Sequence, residues 1–182
     1  MNSVVLIQIG LILLCDTISS CLQCNHLPLQ QRKVIENSLR LLDKMGKRFP
    51  KQCLRDKMSF RFPEQVLRAT EKEAVKTAIE EILQHIFYIF GKNLTPAAWD
   101  GTALEQFRNG LHQQIEQLEA CVIKQQIQYR QSKEVNRLKL KKYFQKIKYF
   151  LEDKQHNLCS WEISRAETRR CLQLAHKVIR KL

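Results

Sequence analysis

The sequence predicts an all-α fold: a five-helix bundle wired up-up-down-down, with a long first crossover loop. Three observations carry that prediction. Five stretches each show one apolar stripe at helical spacing. No stretch alternates apolar and polar residues long enough to be a half-buried strand. The 182 residues contain only five Gly and four Pro, too few for the many tight turns of a strand-rich fold. That length suits one compact domain, and 44% hydrophobic with 27% charged residues is ordinary globular composition.

The first helix is expected from about Gln30 to Met45. Ile35, Leu39, Leu42 and Met45 recur at spacings of 4, 3 and 3, and Gly46 follows as a C-terminal stop. A connection of roughly 25 residues then runs from Lys47 to about Thr70, with Pro50 and Pro63 and no clean period. Its Phe60, Phe62, Val66 and Leu67 imply that it packs against the body. It is long enough to cross the bundle and leave the first two helices parallel. The second helix spans about Lys72 to Phe90, on Val75, Ile79, Ile82, Ile86 and Phe90, and Gly91 closes it. The acidic pair Glu80 and Glu81 is expected to face solvent.

The third helix, about Trp99 to Gln125, has the cleanest stripe: Leu104, Phe107, Leu111, Ile115, Leu118 and Val122. A polar stretch, Gln126 to Lys133, separates it from a fourth helix. That helix runs from about Glu134 to Asp153 on Leu140, Tyr143, Phe144, Ile147, Phe150 and Leu151. The fifth is expected from about Trp161 to Leu182, with Leu172, Ala175, Val178, Ile179 and Leu182 inward.

Val4 to Leu14 is apolar apart from Gln8 and Gly10, and small polar residues follow it. Such a run is too short to span a bilayer but suits the apolar region of a signal peptide. Residues 1–20 are therefore read as a signal, with cuts closing 1–21 or 1–23 as alternatives, and 21–182 as one helical domain. A secreted, extracellular product is expected, with no membrane insertion. Cys15 lies in the signal, and Cys21, Cys24, Cys53, Cys121, Cys159 and Cys171 then favour disulfides over metal binding. Six cysteines allow 15 connectivities, so the pairing stays open at this point. The Cys21/Cys24 CxxC has neither a second CxxC nor a histidine cluster to complete a zinc site.

The net charge of +13 predicts weak attraction to polyanions such as heparan sulfate. The densest run, Lys139, Lys141, Lys142, Lys146 and Lys148, is interleaved with core positions, which favours a solvated basic face over a specific nucleic-acid site. There is no Gly-rich phosphate loop, HExxH or GxSxG, and the five histidines are dispersed along the chain. Neither an enzyme nor a cofactor is expected. Asn93-Leu94-Thr95 is a glycosylation sequon on an expected surface loop, disfavoured by Pro96.

Particular words in the chain go further than its periodicity. Phe49-Pro50-Lys51-Gln52-Cys53-Leu54-Arg55-Asp56, followed by Phe60-Arg61-Phe62-Pro63, resembles the long first connection of type I interferons. Leu118-Glu119-Ala120-Cys121-Val122 resembles their third helix. Lys142-Tyr143-Phe144-Gln145-Lys146-Ile147 and Cys159-Ser160-Trp161-Glu162-Ile163-Ser164-Arg165-Ala166-Glu167 are the most specific matches. Cys24-Asn25-His26-Leu27 is similar to avian and reptilian members, and Arg169-Arg170-Cys171-Leu172 to the kappa and epsilon branches.

The resemblance implies a long-chain helical cytokine that assembles a two-chain receptor, activates Janus kinases and STAT factors, and induces an antiviral, antiproliferative state. It implies the pairs Cys53–Cys159 and Cys24–Cys121, each worth roughly 4–5 kcal/mol by loop closure. Cys21 and Cys171 are left either to form a third bridge or to stay free. It places Leu54, Arg55, Asp56, Lys57, Arg165, Ala166, Arg169 and Arg170 on the high-affinity receptor surface. Phe87, Tyr88, Lys92, Ala103, Arg108, His112 and Lys141 fall on the low-affinity one, with Phe87 equally suited to the core. The competing readings are another helical cytokine or hormone, or a cationic heparin-binding host-defence protein. The first leaves the Cys-x-Trp-Glu block unexplained, and the second has no need of five patterned helices.

Overall fold

A computed structural model of the chain describes residues 27–181, except 47, 57, 70, 71, 92–95, 97 and 123–129. The described residues form five α-helices and no strand: α1 (Leu27–Met45), α2 (Lys72–Phe90), α3 (Gly101–Val122), α4 (Arg130–Asp153) and α5 (Leu158–Ile179). Two short 3-10 turns, Lys51–Asp56 and Glu64–Leu67, lie in the crossover between α1 and α2. The expected signal, 1–20, is outside the described residues. The range of α2 is the one its stripe predicts. α5 begins at Leu158 rather than Trp161 because Asn157 is its N-cap, its side chain accepting from the Ser160 N–H at 2.8 Å.

Contacts between helices give their directions. The Asp100 N–H donates to the Met45 carbonyl at 2.9 Å, so α3 starts where α1 ends and the two are antiparallel. Arg165 meets Leu42, Arg169 meets Asp43 and His176 meets Glu36, so α5 is antiparallel to α1 as well. Phe87 stacks on His112 and Phe90 packs on Phe107, which makes α2 antiparallel to α3 and thus parallel to α1. In α1, α2, α3 and α5 the order is up-up-down-down, as expected. The fourth helix is the addition: Glu81 with Arg137 and His85 with Phe144 run α4 parallel to α2, against both α2 and α5.

The core is one cluster drawn from all five helices and from the crossover. Phe90, Trp99, Phe107 and Trp161 close one end, with ring centroids 5.3 to 6.1 Å apart. The crossover is not free. Phe60 packs edge-on against Phe150 at 5.5 Å and Phe62 against Tyr143 at 5.1 Å. Such pairs contribute about 0.5–1.5 kcal/mol beyond their burial. Phe60, Phe62, Val66 and Leu67 are all buried, as their apolar character predicts.

Two local expectations are corrected. Gly46 is not a left-handed helix stop, since no described glycine has positive φ. It is buried instead, and a Cβ there would sit 2.5 Å from Arg165 Nε. Glu80 and Glu81 do not face solvent. Glu80 is buried and accepts from Gln84, which also reaches Glu119 of α3, and Glu81 pairs with Arg137 at 3.0 Å because α4 packs there against α2. Sequence periodicity on α2 alone has no information about a helix packed against it from elsewhere.

Candidate functional site

The described residues that the sequence reading puts on the high-affinity surface lie where the crossover meets α5. A disulfide joins Cys53, buried in the first 3-10 turn, to Cys159 near the start of α5, with Cα atoms 5.0 Å apart. Lys154 Nζ, in the α4–α5 turn, donates to Asp56 Oδ1 at 3.0 Å and ties the far end of that turn. The Asp56 carboxylate in return raises the pKa of the Lys154 ammonium. Arg170 reaches Glu64 of the second turn at 3.9 Å and Glu167 of its own helix at 3.1 Å. The crossover therefore follows α5 from Cys159 to Arg170. Leu54 stands 57% exposed on this edge, with Arg55, Ala166 and Arg170 also exposed.

Arg165 is not part of that surface. Its side chain is buried, at 6% exposure, because position 165 falls on the same inward face as Trp161, Thr168 and Leu172. Its guanidinium donates to Glu162 Oε2 at 2.6 and 3.1 Å and to the Leu42 carbonyl at 2.7 Å. The other Glu162 oxygen accepts from Trp99 Nε1 at 2.7 Å. One buried ion pair thus joins α5, the end of α1 and the approach to α3, and Gly46 lacks a side chain because the guanidinium lies against it. Arg169 is half-buried and forked onto Asp43 of α1 at 2.7 and 3.3 Å. Asp56 is likewise half-buried. Lys57 lies outside the described residues.

The cysteines divide in the same way. Cys21 and Cys24 and the side chain of Cys121 lie outside the described residues, so the Cys24–Cys121 pair stays an expectation. Cys171 is a free thiol at 1% exposure, so of the two alternatives it has the unbridged one at this end. The inward face of α5 puts it beside Tyr143, and burial, reinforced by the Glu167 charge, pushes its pKa well above the ordinary thiol range. The Tyr143 hydroxyl donates to Glu167 at 2.7 Å.

On the expected low-affinity surface, Tyr88 is 55% exposed, and His112 and Lys141 are exposed. Ala103 is fully buried and cannot contact a partner, since it lies one turn from buried Phe107 on the inward face of α3. Arg108 is half-buried and donates to the Phe90 carbonyl at 2.6 Å, capping the C-terminal end of α2. Phe87 is half-buried, packs against the core and stacks on His112 at 5.5 Å, as its core reading expects. Lys92 and Asn93 lie outside the described residues. Sequence reasoning missed Glu162, Trp99, Asp43 and Glu64, the partners that hold this architecture. Only the Glu162/Arg165 spacing of three was visible beforehand.

Among the described residues no helix is long and apolar enough to cross a membrane. Residues 27–182 match the family described as the interferon alpha/beta domain. The chain is 33% identical over 151 residues to interferon tau of Cervus elaphus, covering 80% of this chain and 76% of that protein. It is 32% identical over 179 residues to interferon epsilon of Sus scrofa, covering 96% and 93%. Among solved structures, zebrafish interferon 2 superposes with a TM-score of 0.75 at 26% identity, covering 80% of this chain and 97% of that one.

Proposed function

We propose, for a chain that belongs to the type I interferon (alpha/beta) family of antiviral cytokines, that it is secreted after removal of residues 1–20 and engages two receptor chains at once. Bringing the chains together activates the Janus kinases they carry, and STAT factors then drive the antiviral, antiproliferative response. The observation that supports this most is the Cys53–Cys159 bond, which fixes exposed Leu54 and Arg55 beside exposed Ala166 and Arg170. Such a preformed edge engages a receptor without ordering a 25-residue loop on binding, a cost that reaches about 0.5–1.5 kcal/mol for each immobilised long side chain.

Leu54 is the apolar anchor, and Arg55 and Arg170 supply a charged rim. Tyr88, His112 and Lys141 serve the lower-affinity chain. Arg165 acts inside the protein, holding α1 against α5. Cys24 and Cys121 form a second bridge.

The test uses oxidised, secreted protein on cells of the source species carrying an interferon-responsive promoter. Leu54→Ala and Arg170→Ala are expected to raise the half-maximal dose roughly ten- to thirty-fold, corresponding to about 1.4–2 kcal/mol. Tyr88→Ala should lower the response without changing binding to the high-affinity chain. Induction indifferent to both Leu54 and Arg170 would move the site elsewhere. A folded protein that induces nothing would overturn the signalling reading.

A further inference from the structure

Several cations on this molecule's helices face an acid. Arg32, Arg137, Lys148, Arg169 and Arg170 each pair with a carboxylate, and Arg165 does so within the core. The outer face of α4 concentrates cations with no acid interspersed. Lys139, Lys142 and Lys146 are exposed, recur at spacings of 3 and 4, and make no ion pair among the described residues. No acidic residue lies between Glu134 and Glu152 to neutralise them. At 1.5 Å rise per residue the three form a strip about 10 Å long.

The crossover adds a fourth cation. Phe62 on Tyr143 and Phe60 on Phe150 lie about two helical turns apart along α4, and Arg61 sits between them. With both aromatic neighbours turned into the core, Arg61 is exposed at φ 55, and the rings that flank it sit on Tyr143 and Phe150, each one helical turn after Lys139 and Lys146. A residue in the left-handed region without glycine is unusual and is kept in place here by the two buried rings.

We propose that Lys139, Lys142, Lys146 and Arg61 bind a sulfated glycosaminoglycan chain of the heparan sulfate type. Ammonium groups a helical turn apart on a straight strip match the repeating sulfates and carboxylates of an extended polysaccharide. Lysine recognises them as a point charge without needing a fork geometry. A membrane surface fits poorly. Insertion at a bilayer interface uses the apolar face of an amphipathic helix, and that face of α4, with Leu140, Phe144 and Ile147, is buried in the core. Single-stranded nucleic acid is bound on stacking platforms, and the strip offers one exposed aromatic, Tyr149. The consequence is retention of the secreted protein on cell surfaces and matrix near its source. The site is separate from the residues assigned to the receptor, so it stands or falls independently of the signalling reading.

The experiment measures binding of the purified, oxidised protein to immobilised heparin across a salt series. Lys139→Gln/Lys142→Gln/Lys146→Gln is compared with Lys33→Gln/Arg40→Gln/Lys44→Gln on α1, which removes equal charge. Circular dichroism confirms the fold of both. The α4 variant is expected to weaken binding at least tenfold and to reduce the slope of log affinity against log salt by about three, with Arg61→Gln reducing it by about one. The α1 variant should keep most of the affinity, and the α4 variant should keep its half-maximal dose in the reporter assay. Equal losses in the two triple variants would overturn the proposal in favour of bulk charge. So would preferential binding of the same lysines to phosphatidylserine vesicles or single-stranded DNA over heparin.

Discussion

α5 and α4 are both rich in cations, and the structure puts them to opposite uses. On α5, Arg165, Arg169 and Arg170 are each bonded to a carboxylate, and two of those partners, Asp43 and Glu64, come from other elements. On α4, Lys139, Lys142 and Lys146 face solvent without a described partner. The arginines set the register between helices, because a planar fork can satisfy a carboxylate and a backbone carbonyl together. The lysines are left available to a partner. A net charge of +13 describes neither role.

The comparison can be broken first at the covalent tie that only the α5 side possesses. Replacing Cys53 and Cys159 by Ser opens a loop with a sequence separation of 106. That should cost about 4–5 kcal/mol in urea unfolding, with the reporter response falling in parallel. Next comes the contrast between cations themselves. Arg165→Met leaves Glu162 buried without its countercharge and should cost about 3–5 kcal/mol, whereas Lys142→Met on α4 should stay within about 0.5 kcal/mol. If the two cost the same, Arg165 is not the buried strut described above.

Gly46→Ala tests the close approach directly. Its Cβ would meet the Arg165 guanidinium at 2.5 to 2.9 Å, and the expected cost is about 1–3 kcal/mol. In an Arg165→Met background that cost should shrink, since the clashing group is gone, and a double-mutant cycle reads the difference.

The smallest effect is a dependence on pH. His85 is half-buried on α2 against Phe144. Burial lowers its pKa below the ordinary 6.5, with the Arg137 and Lys141 charges lowering it further. The unfolded chain therefore takes up this proton more readily. The stability linked to His85 is complete above about pH 6.5 and is lost as pH falls through the depressed folded value. Urea midpoints at about pH 7.5 and about pH 5.5 should show a decline in the wild type that His85→Gln reduces. An unchanged decline in the variant would assign the effect to another group.

The sequence by itself determined the elements. Stripes such as Val75–Ile79–Ile82–Ile86–Phe90 state both that a helix forms and which side it buries, because the 3.6-residue period is a local property. The motif Cys159-Ser160-Trp161-Glu162 was likewise legible as a family word, and Leu54 and Arg170 are exposed. What tertiary structure alone decided is which polar groups meet. Arg165 reads as one more basic residue of an amphipathic helix until Leu42, Glu162 and Gly46 surround it. Glu81 reads as solvent-facing until α4 supplies Arg137, and Arg61 joins the lysine strip only because Phe60 and Phe62 are seated on another helix. Each of these depends on elements distant in sequence arriving within hydrogen-bonding or van der Waals range, and no local period encodes that. Folding settles it through the packing of the shared core.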